Sequence, residues 1–205
     1  MISEWNLAPV RVEHAHGDGA HSFRQNPAAG FYATMTKDQR IVGVGAASGV
    51  ATMIVAVASI YQLWPTNPGL VDVAHRLAFA FEANAFAAVP LLVAVMTIGQ
   101  NRFLSEAIDP TLHREDVATQ INGRVADNTL QQFVLFVAAT TALSANLTVE
   151  TMRVIPAATI VFVTTRVLFW IGYRVHPLYR AFGMAATGYL NLGLLGFALW
   201  KAMAG

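Results

Sequence analysis

Three polar side chains at helical spacing, Arg124, Asn128 and Gln131, lie near the start of one apolar stretch. Their i, i+4, i+7 spacing places them on one face of a helix. A second apolar stretch carries Arg166 and Tyr173, again seven residues apart. A guanidinium group binds carboxylates through two parallel hydrogen bonds, and an amide offers both a donor and an acceptor. These residue types together predict a site for a small, peptide-like anion, in which a nearby cation would favour the thiolate form of a sulfur.

The arginines are notable because the rest of the chain is strongly apolar. Of its 205 residues, 55% are hydrophobic and 12% are charged, and the mean hydropathy is +0.48. This composition predicts an integral membrane protein in contact with a lipid bilayer. The net charge of +1, without a run of basic residues, argues against nucleic acid as a partner. The chain has no cysteine, so any thiol chemistry needs a thiol brought by the ligand.

Five apolar segments follow a polar beginning, and each has about the 20 residues that cross a bilayer. We expect an all-α integral membrane bundle of five transmembrane helices, with Pro90 kinking the second. The predicted spans are Ile41 to Trp64, Leu77 to Ile98, Ile121 to Leu147, Val154 to Tyr173 and Phe182 to Trp200. The predicted organisation is a soluble, loosely ordered tail over 1–36, a first transmembrane helix with its turn over 37–70, and a transmembrane domain over 71–205.

Basic residues flanking the spans predict the orientation of the chain. One side has Lys37, Arg40, Arg102, Arg114, Arg174 and Arg180, and the other has Arg76, Arg153 and Lys201. Because cytoplasmic loops carry the excess of basic residues, we expect a multi-pass protein with a cytoplasmic N-terminus. Four segments then bring arginines to the cytoplasmic leaflet, at Arg102, Arg124, Arg166 and Arg180.

Each polar group also has a structural interpretation. Arginines near helix ends, such as Arg102 and Arg180, can extend to lipid headgroups, and polar side chains can join helices without binding a ligand. Glu82 is an acidic residue within a predicted span. It could neutralise an arginine or act as a protonatable group on an ion path. We expect a structural partner, because no second buried acid continues a proton relay.

The N-terminal tail carries His14, His16 and His21, which could hold a metal. The surrounding segment is rich in Gly and Ala and offers no scaffold to fix a coordination geometry. We therefore expect a solvated tail and no metal site.

Small residues on two spans predict close helix packing. The first span carries Gly43, Gly45 and Gly49. The last span has a similar character, so both should face protein, with glycines at Gly183, Gly188, Gly193 and Gly196.

The pattern Arg124-x3-Asn128, followed by Arg166-x6-Tyr173-x6-Arg180, resembles the MAPEG family, the membrane-associated proteins in eicosanoid and glutathione metabolism. The resemblance covers roughly Leu77 to Trp200. The extra first helix and the Phe169-Trp170 pair look most like the five-helix, mattrin-like branch. The resemblance implies that the last four helices form a MAPEG-like four-helix core and that the chain assembles as a homotrimer.

The same resemblance implies glutathione as a co-substrate bound between subunits, and lipophilic small molecules as its reaction partners. Arg180 would be the catalytic residue that activates the thiol. Glutathione would be bound by Arg102, Arg124, Asn128, Gln131, Arg166 and Tyr173. The family usually has Glu where this chain has Gln131, and many catalytic members have Tyr where it has Phe169. Thiolate activation would therefore depend on Arg180 alone.

The predicted function is glutathione binding, with conjugation or reduction of lipophilic electrophiles that enter from the bilayer. The alternative is a non-catalytic membrane protein whose polar residues stabilise the oligomer or bind another anion or a lipid headgroup. A small transporter that uses Glu82 is a third class, and the absence of a visible inverted repeat argues against it.

Overall fold

The computed structural model describes residues 35–109 and 114–204, and these residues form helices and their connections without a strand. They belong to one compact unit. The helices are α1 (Lys37–Leu63), α2 (Val73–Ala87), α3 (Val89–Phe103), α4 (Val117–Asn146), α5 (Val154–Val175) and α6 (Arg180–Ala204). The predicted tail, with its three histidines, lies outside the described residues except for Met35 and Thr36.

The prediction of an all-α membrane bundle is confirmed. Four helical segments of the described chain are long and apolar enough to cross a bilayer: α1, α2 continued by α3, α5 with the turn before it, and α6. The remaining predicted span, Ile121 to Leu147, corresponds to α4, which has 30 residues. It is less apolar than the others because its first half carries Arg124, Asp127 and several amides. The core lies mainly between α4, α5 and α6, where the rings of Phe136 and Phe162 are 4.5 Å apart.

The second predicted span is interrupted near Pro90, as expected. α2 ends at Ala87 and α3 begins at Val89. The N–H of Ala88 donates to the carbonyl oxygen of Asn84 at 3.0 Å. Proline has no N–H to donate, and it is tolerated in the first turn of a helix, where the N–H groups have no intrahelical acceptor. The break therefore follows from the position of Pro90.

Close packing of α1 on α6 depends on Gly49. A Cβ at this position would overlap the carbonyl oxygen of Phe182, and a Cβ at Gly45 would lie 3.5 Å from the Cβ of Ala181. The small-residue face predicted for the first span is therefore an interface with α6.

The glycines of α6 divide into two groups. A Cβ at Gly183 would lie 2.6 Å from both the Thr165 oxygen and the Phe169 nitrogen, so α5 and α6 approach closely there. Added Cβ atoms at Gly188, Gly193 and Gly196 would meet no described atom within 4 Å. Within one chain, only the first of these four glycines faces protein as predicted.

Three helices begin directly after a polar capping residue. Thr36 caps α1 in a reciprocal capping box with Gln39, and Asp72 caps α2. Asp116 caps α4, where its side chain accepts from the Thr119 N–H at 2.8 Å. Hydrogen bonds from the Thr119 side chain and backbone lower the pKa of Asp116 below its ordinary value. Each cap satisfies an N–H group that has no partner within its helix.

Candidate functional site

Two arginines meet at one phenol where α4, α5 and α6 come together. Nη1 of Arg180 donates to the hydroxyl oxygen of Tyr173 at 3.0 Å, and Nη1 of Arg124 donates to the same oxygen at 3.4 Å. The Arg180 guanidinium carbon also lies 4.8 Å from the centre of the Tyr173 ring. We call Arg124, Tyr173 and Arg180 the arginine–tyrosine cluster.

Apolar side chains pack against Tyr173 and fix its position. Tyr173 is 4% exposed and forms a buried group with Val125 and Phe169, against which Ile121 and Trp170 also pack. The rings of Phe169 and Tyr173 meet edge to face, with centroids 6.0 Å apart. The phenol oxygen is therefore held at the end of a rigid side chain between α4 and α5.

The short link between α5 and α6 brings Arg180 to this phenol. A Cβ at Gly172 would lie 2.9 Å from the carbonyl oxygen of Tyr179, so the link folds back tightly over the end of α5. The N–H of Tyr179 donates to the carbonyl oxygen of His176 at 2.9 Å and closes the turn. This turn places the start of α6 beside the last turn of α5.

The arginine–tyrosine cluster has hydrogen-bond donors that its internal contacts do not use. A guanidinium group carries five N–H donors, and each arginine uses one of them on Tyr173. The phenol oxygen accepts from both arginines, so its own hydrogen is left to donate. In the described chain, no carboxylate forms an ion pair with either Arg124 or Arg180. Two cations and a phenol arranged in this way can bind an anion.

An apolar cavity of about 240 Å³ adjoins Arg180. It lies between the first turns of α1 and α6, and its walls include Val42, Pro177 and Met184. Arg180 itself is exposed, so its guanidinium can contact both the cavity and the phenol.

Arg166 lies deeper in the bundle and is 1% exposed. Its Nη1 donates to Oδ1 of Asn128 at 2.8 Å, and its Nη2 donates to the carbonyl oxygen of Gly183 at 2.8 Å. The hydroxyl of Thr187 accepts from Nε at 3.0 Å and from Nη2 at 2.7 Å. The guanidinium carbon also lies 4.6 Å from the centre of the Phe169 ring. All three nitrogens thus have protein acceptors, and Arg166 joins α4, α5 and α6.

The other predicted site residues lie apart from the cluster. Arg102 forms a part-buried ion pair with Glu115, with Nη2 and Oε1 2.6 Å apart, and so joins α3 to the segment before α4. Gln131 is exposed, whereas the side chain of its neighbour Gln132 accepts from Nδ2 of Asn191 at 2.9 Å. Of the seven predicted site residues, the structure brings together Arg124, Tyr173 and Arg180 in one group and Asn128 with Arg166 in another.

Sequence reasoning missed several partners of these residues. Thr187 of α6, which accepts two hydrogen bonds from Arg166, was not predicted. Asn122 accepts a hydrogen bond from the Trp170 indole at 2.9 Å and is fully buried. Nothing in its local sequence distinguishes Asn122 from the exposed amides of α4. Among the residues that the structure describes, no group of three or more histidines and carboxylates could hold a metal ion.

Comparison with known proteins gives matches to a membrane protein. Transmembrane protein 79 of Mus musculus and that of Bos taurus are each 25% identical to this chain over 142 residues. The matched region covers 65% of this chain but only 33% of each relative, so the chain matches about a third of their length. No family model matches the chain. No solved structure matches it either.

The predicted resemblance to the MAPEG family is wrong, since no family model matches the chain. The similarity is to Transmembrane protein 79, also called mattrin, rather than to that family as a whole. The coarser prediction of a multi-pass membrane protein agrees with both the relatives and the four candidate spans. The cytoplasmic position of the N-terminus stays a prediction.

Proposed function

We propose that this membrane protein binds a small organic anion at the arginine–tyrosine cluster, with glutathione as the candidate ligand. The observation that carries the proposal is the convergence of Arg124 and Arg180 on the Tyr173 oxygen, at 3.4 and 3.0 Å. Two cations that share one neutral acceptor repel each other, and a bound anion would relieve this repulsion. The free phenol hydrogen and the unused guanidinium N–H groups would then donate to it.

Glutathione fits this chemistry because it carries two carboxylates and a thiol. A guanidinium group can bind a carboxylate through two hydrogen bonds, and a cation near sulfur favours the thiolate. Arg180 lies between the phenol and the apolar cavity of about 240 Å³, so a lipophilic electrophile in that cavity would be close to a thiolate held by Arg180. Conjugation or reduction of such a compound is the enzymatic form of the proposal.

A second candidate function is non-catalytic, and the contacts of Arg166 favour it. This side chain was predicted to hold a ligand carboxylate, yet each of its nitrogens donates to a protein acceptor. Arg166 and its acceptors on α4 and α6 therefore stabilise the bundle itself. In this case the exposed guanidinium groups of Arg124 and Arg180 bind another anion, such as a lipid phosphate. Homotrimer assembly remains a prediction under either function.

Titration calorimetry on the full chain in lipid nanodiscs tests the proposal. We expect saturable glutathione binding to the wild type and at least about tenfold weaker binding to a variant that combines Arg124→Gln with Arg180→Gln. Arg174→Gln is the matched control, because Arg174 is exposed at the same end of α5 without contacting Tyr173. The control should bind glutathione like the wild type.

Two further measurements distinguish the glutathione-dependent enzyme from a non-catalytic protein and from a lipid-binding one. Ultraviolet absorbance of bound thiolate should increase with glutathione but not with S-methylglutathione, which retains the carboxylates and lacks the thiol. Binding without a thiolate signal would support the non-catalytic function. Competition by phosphatidic acid in the nanodisc would indicate a lipid phosphate as ligand. An absence of glutathione binding at millimolar concentration would overturn the glutathione proposal.

A further inference from the structure

A second candidate site is a groove on the outer surface of the bundle, beside Glu82 of α2. The groove has a volume of about 500 Å³ and lies between α2, the start of α3 and α5. Its walls are mainly apolar and include the aromatic side chains of Trp64, Phe79 and Phe86. Phe86 is 69% exposed, so the groove is open toward the surrounding bilayer.

Glu82 adds one carboxyl group to this apolar surface. Its side chain is exposed, and no arginine in the described ranges pairs with it, in contrast to the structural partner expected from sequence. The helical rise of about 1.5 Å per residue puts Glu82 about 14 Å along α2 from Val73. It therefore lies well within the candidate span Val73–Phe103. A carboxylate at such a depth is unfavourable unless it has a partner.

We propose that this groove binds a lipophilic amine, with its ammonium group against Glu82 and its hydrocarbon part along the aromatic walls. A protonated amine supplies the charge that the described chain does not. Trp64, Phe79 and Phe86 supply an aromatic surface on which the hydrocarbon part of the same ligand packs. The volume lies within the range of about 300 to 1,000 Å³ that is usual for small-molecule sites.

Two hydroxyl groups also belong to the lining of the groove. Thr159 and Thr164 of α5 both line it. The hydroxyl hydrogen of Thr159 is used on the carbonyl oxygen of Ile155, at 2.9 Å, so its oxygen remains available as an acceptor. The groove thus offers a carboxylate and hydroxyl acceptors, which distinguish an amine from a neutral lipid chain.

The groove is separate from the arginine–tyrosine cluster. Its residues on α5 extend from Pro156 to Thr164, in the first half of that helix, whereas Tyr173 lies in its last turn. Among the residues that the structure describes, no arginine or lysine lines the groove, so these residues offer an anion no attraction. The amine site therefore does not depend on the proposed binding of glutathione.

Photolabelling of the full chain in lipid nanodiscs tests this proposal. The probe is dodecylamine with a diazirine in its chain, and the matched neutral probe is the corresponding dodecanol. In the wild type, the amine should label peptides of α2 and α5 about fivefold more than the alcohol, and unlabelled dodecylamine should compete. Equal labelling by the two probes would mean that only hydrocarbon occupies the groove and would overturn the proposal.

Substitutions at Glu82 test whether its carboxylate causes the preference for the amine probe. Glu82→Gln should abolish the difference between the two probes, while Glu106→Gln, which changes an exposed carboxylate outside the groove, should leave it intact. Glu82→Asp keeps the charge and should retain a measurable preference, provided that circular dichroism shows an unchanged helical content. An undiminished preference in Glu82→Gln would contradict the proposal.

A second copy of the chain is the competing occupant. A photoreactive amino acid at Val163, which lines the groove, would report it. We expect crosslinks to the amine probe or to lipid. Crosslinks between two chains that dodecylamine does not reduce would assign the groove to an interface and overturn the amine site.

Discussion

The hydroxyl of Thr187 on α6 accepts two hydrogen bonds from Arg166 on α5, at 3.0 Å from Nε and 2.7 Å from Nη2. Both side chains are buried, with exposed fractions of 0% and 1%. A buried charged donor needs acceptors, because the loss of one partner leaves a buried N–H group without a hydrogen bond.

Thr187→Val should therefore destabilise the bundle by about 2 kcal/mol, since valine keeps the shape of threonine and removes the acceptor. Thermal unfolding in detergent, followed by circular dichroism, measures the effect. Thr159→Val is the control, because this buried hydroxyl donates only to Ile155 of its own helix. Equal losses of thermal stability in the two variants would contradict the role assigned to the Arg166 contact.

Tyr173→Phe tests whether the phenol belongs to the proposed anion site. The ring should still pack on Phe169, while the oxygen that orients Arg124 and Arg180 is lost. We expect glutathione affinity to decrease about tenfold in the calorimetric titration. Tyr179→Phe, at an exposed tyrosine of the α5–α6 link, should bind like the wild type. Unchanged affinity in Tyr173→Phe would remove the phenol from the site.

Gly49→Ala should loosen the packing of α1 on α6. The added methyl group would overlap the Phe182 backbone, and we expect a loss of about 2 kcal/mol of stability. Gly43→Ala is the matched control in the same helix, because its Cβ would be in ordinary contact, 3.8 Å from the Met35 side chain. The control should be neutral or slightly stabilising, since alanine favours helix more than glycine does. Protease sensitivity of α1 provides a second measurement.

The ion pair between Arg102 and Glu115 should contribute more than a neighbouring surface pair. In the first pair the atoms are 2.6 Å apart and Glu115 is 20% exposed, whereas Arg114 and Glu106 are 3.9 Å apart and more exposed. A double-mutant cycle with Arg102→Gln and Glu115→Gln should give a coupling of about 1 kcal/mol. The corresponding cycle on Arg114 and Glu106 should give a value near zero. Similar couplings in both cycles would show that the shorter distance has no energetic effect.

Asp116 should make stability depend on pH in the acid range. Its pKa in the folded protein lies below the ordinary value of 3.8, because Thr119 donates hydrogen bonds to the carboxylate. The resulting stabilisation is complete above pH 3.8 and is lost as the pH falls through the lower folded value. Asp116→Asn keeps a helix cap without a titrating group. The stability difference between wild type and variant should therefore shrink on acidification, and a constant difference would contradict this assignment.

Helical periodicity located the polar residues but could not decide what each one contacts. Gln131 was predicted for the site, yet the contact to Asn191 is made by Gln132. One residue turns a helix face by about 100°, so an error of one position exchanges an exposed side chain for one facing α6. Asn128 was grouped with Arg124 by its spacing, and in the structure it accepts from Arg166 of another helix.

The sequence by itself determined that this is an all-α membrane bundle, where its second span breaks and which face of α1 packs closely. Those properties follow from hydropathy, proline and glycine, which act over a few neighbouring residues. Only the tertiary structure decided that each nitrogen of Arg166 has a protein acceptor, that Arg124 and Arg180 share Tyr173, and that Glu82 lies in an open groove. These contacts depend on how α4, α5 and α6 are rotated against each other, which the spacing within any one helix does not specify.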